Sequence, residues 1–349
     1  MPLLDKKNKG QVDKYNDFVR NREHTSALQD LNWAYVKKEE WTHEAVYLEK
    51  NGNITAAMSM LIRTFAKGFS MIYIPRGPVC DAYDIATIKQ LVDEAKTVAK
   101  KYNVFVLKFD PEAIYDDKLE ALYRQAGFKV RNHDKHKHEF IQPIQNMILR
   151  IKGKTEEEIF KGYSEKTRYN IRVAEKKGVT VRYSRDDSDL KKFYELSEIT
   201  AKRDGITLRD YDYYKRMLEA FDENHLRIYI AEHDGEALSG AIALNYGGKL
   251  FYIYGASSNE KRNLMPNYLM QQTMIRWAVE TGCSEYDFGG VFEINKANGL
   301  YRFKEGFCRQ EGVTKFIGEV DYVYNKFAYF VFVKLLPLYK KIRKIIKRK

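Results

Sequence analysis

Several side chains along this 349-residue chain stand where they could do chemistry. Lys304, in YRFKEGF, lies between Phe303 and Phe307, whose rings would stiffen its stem and hold one positive charge in place; on an open surface it would be an ordinary solvated lysine. Asp110 closes FVLKFD ahead of Pro111. A carboxylate there can attract an ammonium or relay a proton, and an Asp before Pro is also a common turn former. In ITLRDYDYY, Arg209 and Tyr213 are four residues apart and share a face if that turn is helical. Tyr252 and Tyr254, in FYIYGASS, are read as facing opposite sides of one strand, one lining a cleft and the other in the core. Arg168, Arg172, Lys176 and Lys177 recur along one helix and offer either a solvated face or contacts to phosphate.

Other chemistries find little support. Cys80, Cys283 and Cys308 form no CxxC and have no histidine at ligand spacing, so they read as reduced, structural thiols of an intracellular protein. His133, His136 and His138 crowd RNHDKHKHEF, which reads as a solvated linker rather than a metal site. The N-terminus lacks the apolar core of a signal peptide. The apolar stretch from Phe327 to Tyr339 contains Lys334 and Pro337 and falls short of the roughly 20 residues a membrane span needs. A cytoplasmic monomer is expected.

The elements that position these residues come in two copies. VYLEKNGNITAAMSMLI aligns with IYIAEHDGEALSGAIAL when Gly52 is set on Gly235. Asn-Gly and Asp-Gly between alternating apolar positions are strong hairpin signals. Each hairpin is followed by a strand (FSMIYIPRG, LFYIYGASS), a helix and a further strand (FVLKFD, YDFGG). The first helix carries Ile88, Leu91, Val92, Ala95, Val98 and Ala99 at helical spacing; the second carries Leu269, Met270, Thr273, Met274, Trp277 and Ala278 more loosely. The pattern predicts an α/β fold of two domains, 1–147 and 148–314, with 315–349 returning to complete the first. One helix is expected from Thr155, opened by a capping box, to Gly178. Two short helices should fill 186–221, with no heptad array for a coiled coil.

The formal net charge is +12, and KKIRKIIKRK at the end holds seven basic residues with Ile342, Ile345 and Ile346 on one helical face. Such a tail suits either an anionic membrane surface or solvent. The overall charge also suits RNA or a nucleotide.

The second copy resembles a GNAT-type acyltransferase domain, yet the loop after its central strand reads ASSNEKRNLMPNYL. Coenzyme A enzymes of that fold carry a glycine-rich turn whose amides cradle pyrophosphate; here the glycines are missing and Pro266 removes a donor. Taken with LQDLNWAYVK, YIPRGPVCD, TRYNIRVAEKKGV, ITLRDYDYY, FYIYGASS and YRFKEGF, in that order over nearly the whole length, the chain resembles the Fem family (FemX, FemA, MurM), and the compact FemX type within it. The resemblance implies two tandem GNAT-like domains and transfer of an amino acid from aminoacyl-tRNA to the stem-peptide amine of UDP-MurNAc-pentapeptide or lipid II.

That reaction is the aminolysis of an activated ester and requires no metal, ATP or redox cofactor. Its difficulty is the acceptor amine: with a pKa near 10.4, deprotonation at pH 7 is about 4 to 5 kcal/mol uphill. A group must take or relay that proton, and the oxyanion and departing ribose oxygen need positive charge. The resemblance assigns the electrostatic role to Lys304, a place near the acceptor amine to Asp110, and the precursor diphosphate to Lys37 and Arg209, with Tyr213, Tyr252 and Tyr254 as further binding residues. The compact FemX likeness favours the soluble acceptor and the basic tail the lipid-linked one. Two other readings are an acetyl-CoA-dependent N-acetyltransferase and a non-catalytic RNA or membrane adaptor.

Overall fold

In the computed structural model, residues 3–22, 25–65, 68–133 and 140–335 are described. The chain divides into two compact units, 1–142 with 316–349, and 143–315. The unit boundary therefore falls at 142/143 rather than 147/148, because the strand MILRIKG begins earlier, at Gln145, and belongs wholly to the second unit.

The first unit runs α1 (Lys9–Arg20), α2 (Leu31–Val36), β1 (Thr42–Lys50), β2 (Asn53–Thr64), β3 (Ser70–Ile74), α3 (Ile85–Glu94), α4 (Lys96–Lys101), β4 (Val104–Phe109), α5 (Asp117–Gln125) and β5 (Lys129–Arg131). The second follows with β6 (Gln145–Arg150), α6 (Glu156–Gly162), α7 (Glu165–Lys176), β7 (Thr180–Ser184), α8 (Asp187–Asp204), α9 (Tyr211–Ala220), β8 (Leu226–His233), β9 (Glu236–Tyr246), β10 (Lys249–Ser257), α10 (Pro266–Glu280), β11 (Glu285–Gly290), α11 (Gly299–Phe307) and β12 (Val313–Lys315). The chain then returns to the first unit as β13 (Glu319–Val323) and α12 (Lys326–Phe330).

Both hairpins close through two-residue turns in the left-handed region, with φ of 51° and 80° at Asn51 and Gly52 and of 51° and 76° at Asp234 and Gly235. Turns of that hand match the twist of the strands they join. The sheet orders are β1-β2-β3-β4-β13-β5 and β12-β6-β11-β10-β9-β8-β7. In each, one parallel pair (β3 with β4, β10 with β11) sits among antiparallel neighbours. The first core gathers Ile62, Ile72, Leu91, Leu107 and Phe109; the second gathers Tyr163, Met270, Met274, Trp277, Phe288 and Phe307. Burying side chains of this size contributes about 1.5 to 3 kcal/mol each.

Three elements differ from expectation. The helix expected from Thr155 to Gly178 is two: its capping box is present, but Tyr163 turns extended into the core and Ser164 opens α7 by accepting from the Thr167 amide at 3.2 Å. GVTKFIGEVDYVY is not one strand, since β12 pairs with β6 in one sheet and β13 with β4 and β5 in the other. The first helix of 186–221 is 18 residues long. The expected basic tail, 340–349, and His136 and His138 lie outside the described residues.

Candidate active site

The two parallel pairs are not alike. β3 and β4 remain paired from Ser70 opposite Val104 to Ile74 opposite Phe109, with one shift of register between Ser70 and Met71. β10 and β11 pair only from Lys249 opposite Glu285 to Phe251 opposite Asp287, and then part. At the parting, β10 carries a bulge between Tyr252 and Tyr254. Residues two apart in a regular strand share a face, so the opposite orientations expected of these tyrosines come from the extra residue. Tyr252 packs against the core that holds α10, and Tyr254 packs against Tyr213 and Tyr214 of α9.

Lys304 occupies the fork so formed. It sits on α11 beside Phe303 and Phe307, which pack edge to face with ring centroids 5.5 Å apart, and is only 5% exposed. Its Nζ donates to the Gly290 carbonyl of β11 at 2.9 Å. A Cβ on Gly289 would lie 3.8 Å from that ammonium and 3.8 Å from the Tyr252 carbonyl, which puts Lys304 where the two strands diverge. Burial pulls its pKa down to about 8, against the opposing pull of Asp287. The result is a desolvated cation, charged for the most part at neutral pH, that can give up its proton at modest cost.

On the α9 side of the sheet, the Tyr254 hydroxyl donates to the Tyr213 hydroxyl at 3.1 Å, and the Arg209 guanidinium lies 5.3 Å from the Tyr213 ring centre. Arg209 precedes the helix, which starts at Tyr211 with Asp210 as its cap, so a shared helical face is not what brings it to Tyr213. Cation–π attraction in the turn does so. Burial holds the Tyr213 and Tyr254 phenols above their ordinary pKa and that of Tyr252 up to about 12, so all three are neutral at pH 7. In the loop before α10, Lys261 and Met265 take left-handed conformations, and Pro266 is the first helical residue. That helix start offers fewer free amides to a pyrophosphate than a glycine-rich turn would.

The basic helix is only partly available. Arg168 is committed to the fold, donating to the carbonyls of Lys161 and Tyr163 and so capping the end of α6. Arg172 lies over the Phe160 ring at 5.4 Å but is exposed, as are Lys176 and Lys177.

In the first unit, Lys37 ends α2 with its Nζ 5.3 Å from the Trp33 ring centre. Its carbonyl accepts from the Trp41 amide, and the Trp41 ring lies 6.2 Å from that of Tyr73. Asp110 is 2% exposed, and its oxygens accept from the Tyr73 hydroxyl at 2.8 Å and the Arg76 amide at 2.7 Å. Arg76 takes a positive φ of 53°, pairs with Glu112 and lies over Phe316. Asp110 thus fastens the PRGP turn. Burial raises its pKa to about 6 despite Arg76. The folded protein therefore holds this proton more tightly than the unfolded chain, and stability drawn from the group falls as pH rises from about 4 to 6. Asp110→Asn should abolish that slope, worth up to about 3 kcal/mol, in denaturation curves across that range. A general base would cost about 10²- to 10⁴-fold in kcat when removed; a turn fastener should cost less than about tenfold.

A profile of the FemAB family matches residues 11–237 and 230–336. The chain belongs to the FemAB family. Among FemAB-related proteins, the UDP-N-acetylmuramoylpentapeptide-lysine N(6)-alanyltransferase of Weissella viridescens is 36% identical over 342 residues, covering 96% of this chain and all of its own. The lipid II:glycine glycyltransferase of Staphylococcus aureus is 29% identical over 412 aligned positions, covering 96% and 97%. The crystal structure of FemX superposes with a TM-score of 0.85 at 26% identity, covering 95% of this chain and 99% of that one. This FemAB chain shares the tandem GNAT-like architecture and has no long coiled-coil insertion among its described residues.

Two clusters of this FemAB chain escaped the sequence reading. Lys108 bridges Glu319 and Asp321 inside the first unit, at 2.6 Å from each. Asp287 and Asn146 meet below Lys304. The available signal was a single charged residue inside each apolar strand, Lys108 in FVLKF and Asp287 in YDFGG. No group of three or more His, Cys, Asp or Glu among the described residues could hold a metal, and none of their helices is long and apolar enough to cross a membrane.

Proposed function

We propose that this chain is an aminoacyltransferase that carries an amino acid from aminoacyl-tRNA to the stem-peptide amine of UDP-MurNAc-pentapeptide or lipid II. The observation that carries the reading is the desolvated Lys304 ammonium in the fork between β10 and β11 of the second unit. Attack of the amine on the ester builds negative charge first on the carbonyl oxygen and then on the departing ribose oxygen. A fixed cation in a low-dielectric fork stabilises both, and a pKa lowered to about 8 suits it to hand a proton to the leaving oxygen. The Weissella and Staphylococcus relatives are named as transferases of amino acids to peptidoglycan precursors, which supports the same acceptor class here.

In this proposal Lys37 and Arg209 are each a cation available to the precursor's phosphates, with the Tyr213 and Tyr254 pair bracing Arg209, while Tyr252 shapes the fork. Arg172, Lys176 and Lys177 offer phosphate contacts to the tRNA. Phe327 and Phe330, 76% and 52% exposed just ahead of the basic tail, support a peripheral membrane contact.

The test is to incubate purified protein with a pool of charged tRNAs and either acceptor, reading products by mass spectrometry. One acceptor should gain the mass of an aminoacyl residue, and acetyl-CoA should show no binding by calorimetry. Absence of transfer from every charged tRNA would remove the proposal.

A further inference from the structure

We infer that Asp287, braced by Asn146, is the positioning residue that aims Lys304 into the fork and keeps it charged. The inference rests on the proposed transfer reaction for its kinetic consequence, though not for its geometry.

Asp287 is the last residue of β11 in register on both sides, opposite Phe251 of β10 and Ile148 of β6. Pairing with β6 resumes only at Gly290 opposite Asn146, so Phe288 and Gly289 form an irregularity between them. The fully buried Asp287 carboxylate fixes that irregularity. Its Oδ1 accepts from the Gly289 amide at 2.7 Å, where φ is +76°, a conformation glycine adopts without strain. The Asn146 amide donates to both carboxylate oxygens, at 3.1 and 3.0 Å. The next peptide, Gly290, turns its carbonyl to the Lys304 ammonium. One carboxylate therefore shapes the backbone that receives the lysine and supplies the opposite charge.

The titratable groups that bear on Lys304 are Asp287 from β11 and Cys308 from the C-cap of its own helix. Burial raises the Cys308 pKa well above its ordinary value, which leaves that thiol neutral. The β6 neighbour, Asn146, carries no charge, and β10 presents Phe251 and Tyr252. Asp287 is therefore the charge that offsets the desolvation of Lys304.

The test uses the full-length protein with Asp287→Asn, and with Asp287→Asn combined with Asn146→Asp, which returns a carboxylate to the same pair. Two measurements are made. The Lys304 side-chain signal of lysine-labelled protein, assigned by its loss in Lys304→Met, is titrated by NMR, and transfer is measured from pH 6 to 9. Asp287→Asn should lower the Lys304 midpoint from about 8 to about 7. It should move the alkaline limb of transfer by the same amount, so that the loss is about fivefold at pH 8, close to tenfold at pH 9 and small at pH 6. The double variant should restore both. An unchanged Lys304 midpoint, or a loss of transfer uniform in pH, would overturn the inference. If the wild type transfers nothing, the functional reading fails, while the NMR titration still decides whether Asp287 governs Lys304. If the single variant does not fold, the double variant decides, and a midpoint in it well below 8 overturns the inference.

Discussion

Lys304→Met is expected to lower kcat/KM for aminoacyl transfer by about 10²- to 10³-fold, the loss typical of one preorganised stabiliser of a developing oxyanion. Met fills nearly the same space between the aromatic neighbours, so circular dichroism and the unfolding midpoint should change little. The buried ammonium itself costs stability, and Met relieves that cost while losing the bond to Gly290 and the attraction of Asp287. The pH profile supplies a second check. A lysine-type acceptor becomes more nucleophilic as pH rises, so the chemistry alone predicts an increasing rate. Deprotonation of Lys304 near pH 8 works against it and should level the profile above that point. Lys304→Arg, which stays charged, should carry the bend to higher pH whatever its overall activity. A rate that rises steadily through pH 9 in the wild type would show that the charge on Lys304 is not needed.

The largest expected effect on stability lies elsewhere, at Lys108→Met. Lys108 is buried on β4 between Glu319 and Asp321 of β13; Glu319 also receives Arg131 at 3.0 Å and the Ile141 amide at 2.8 Å, and Asp321 receives the Tyr329 hydroxyl at 2.8 Å. Removing one partner of such a cluster strands charge in a low-dielectric interior and costs about 3 to 5 kcal/mol. Urea unfolding should show that loss. The triple variant with Glu319→Gln and Asp321→Asn, which removes the stranded charges, should recover much of it. If Lys108→Met unfolds with the wild-type midpoint, the cluster holds nothing together.

The sequence reading succeeded where local chemistry dictates local shape. Asn51-Gly52 and Asp234-Gly235 specify their turns by themselves, and the capping box at Thr155 opens α6 as written. It failed where a partner far along the chain decides. Arg168 reads as part of a basic run, yet it is spent on carbonyls exposed by an unforeseen break at Tyr163. Asp110 reads as either a catalytic carboxylate or a turn former at a strand end, and nothing local reveals that Tyr73 and Arg76 enclose it. The bulge that separates Tyr252 from Tyr254 has one cue, Gly255 in the next position, where a Cβ would strike the Tyr252 side chain; it forms where β10 follows β9 on one side while parting from β11 on the other. The Lys304 site was legible as a motif, but the carboxylate beneath it depends on β6, 141 residues earlier than Asp287.

The place beside the second strand of the parallel pair is filled from opposite ends of the chain in the two copies. In the second unit it is taken by β6, made before the repeat; in the first it is taken by β13, made after the entire second unit. During synthesis the N-terminal sheet must therefore wait, its β4 and β5 edges unpaired, until about residue 323 has left the ribosome. The usual vectorial order, in which the domain translated first is finished first, is thus reversed. The copy bearing Lys304 can mature ahead of the one begun earlier, and a nascent chain halted between the two would expose a raw edge ready to pair with strangers.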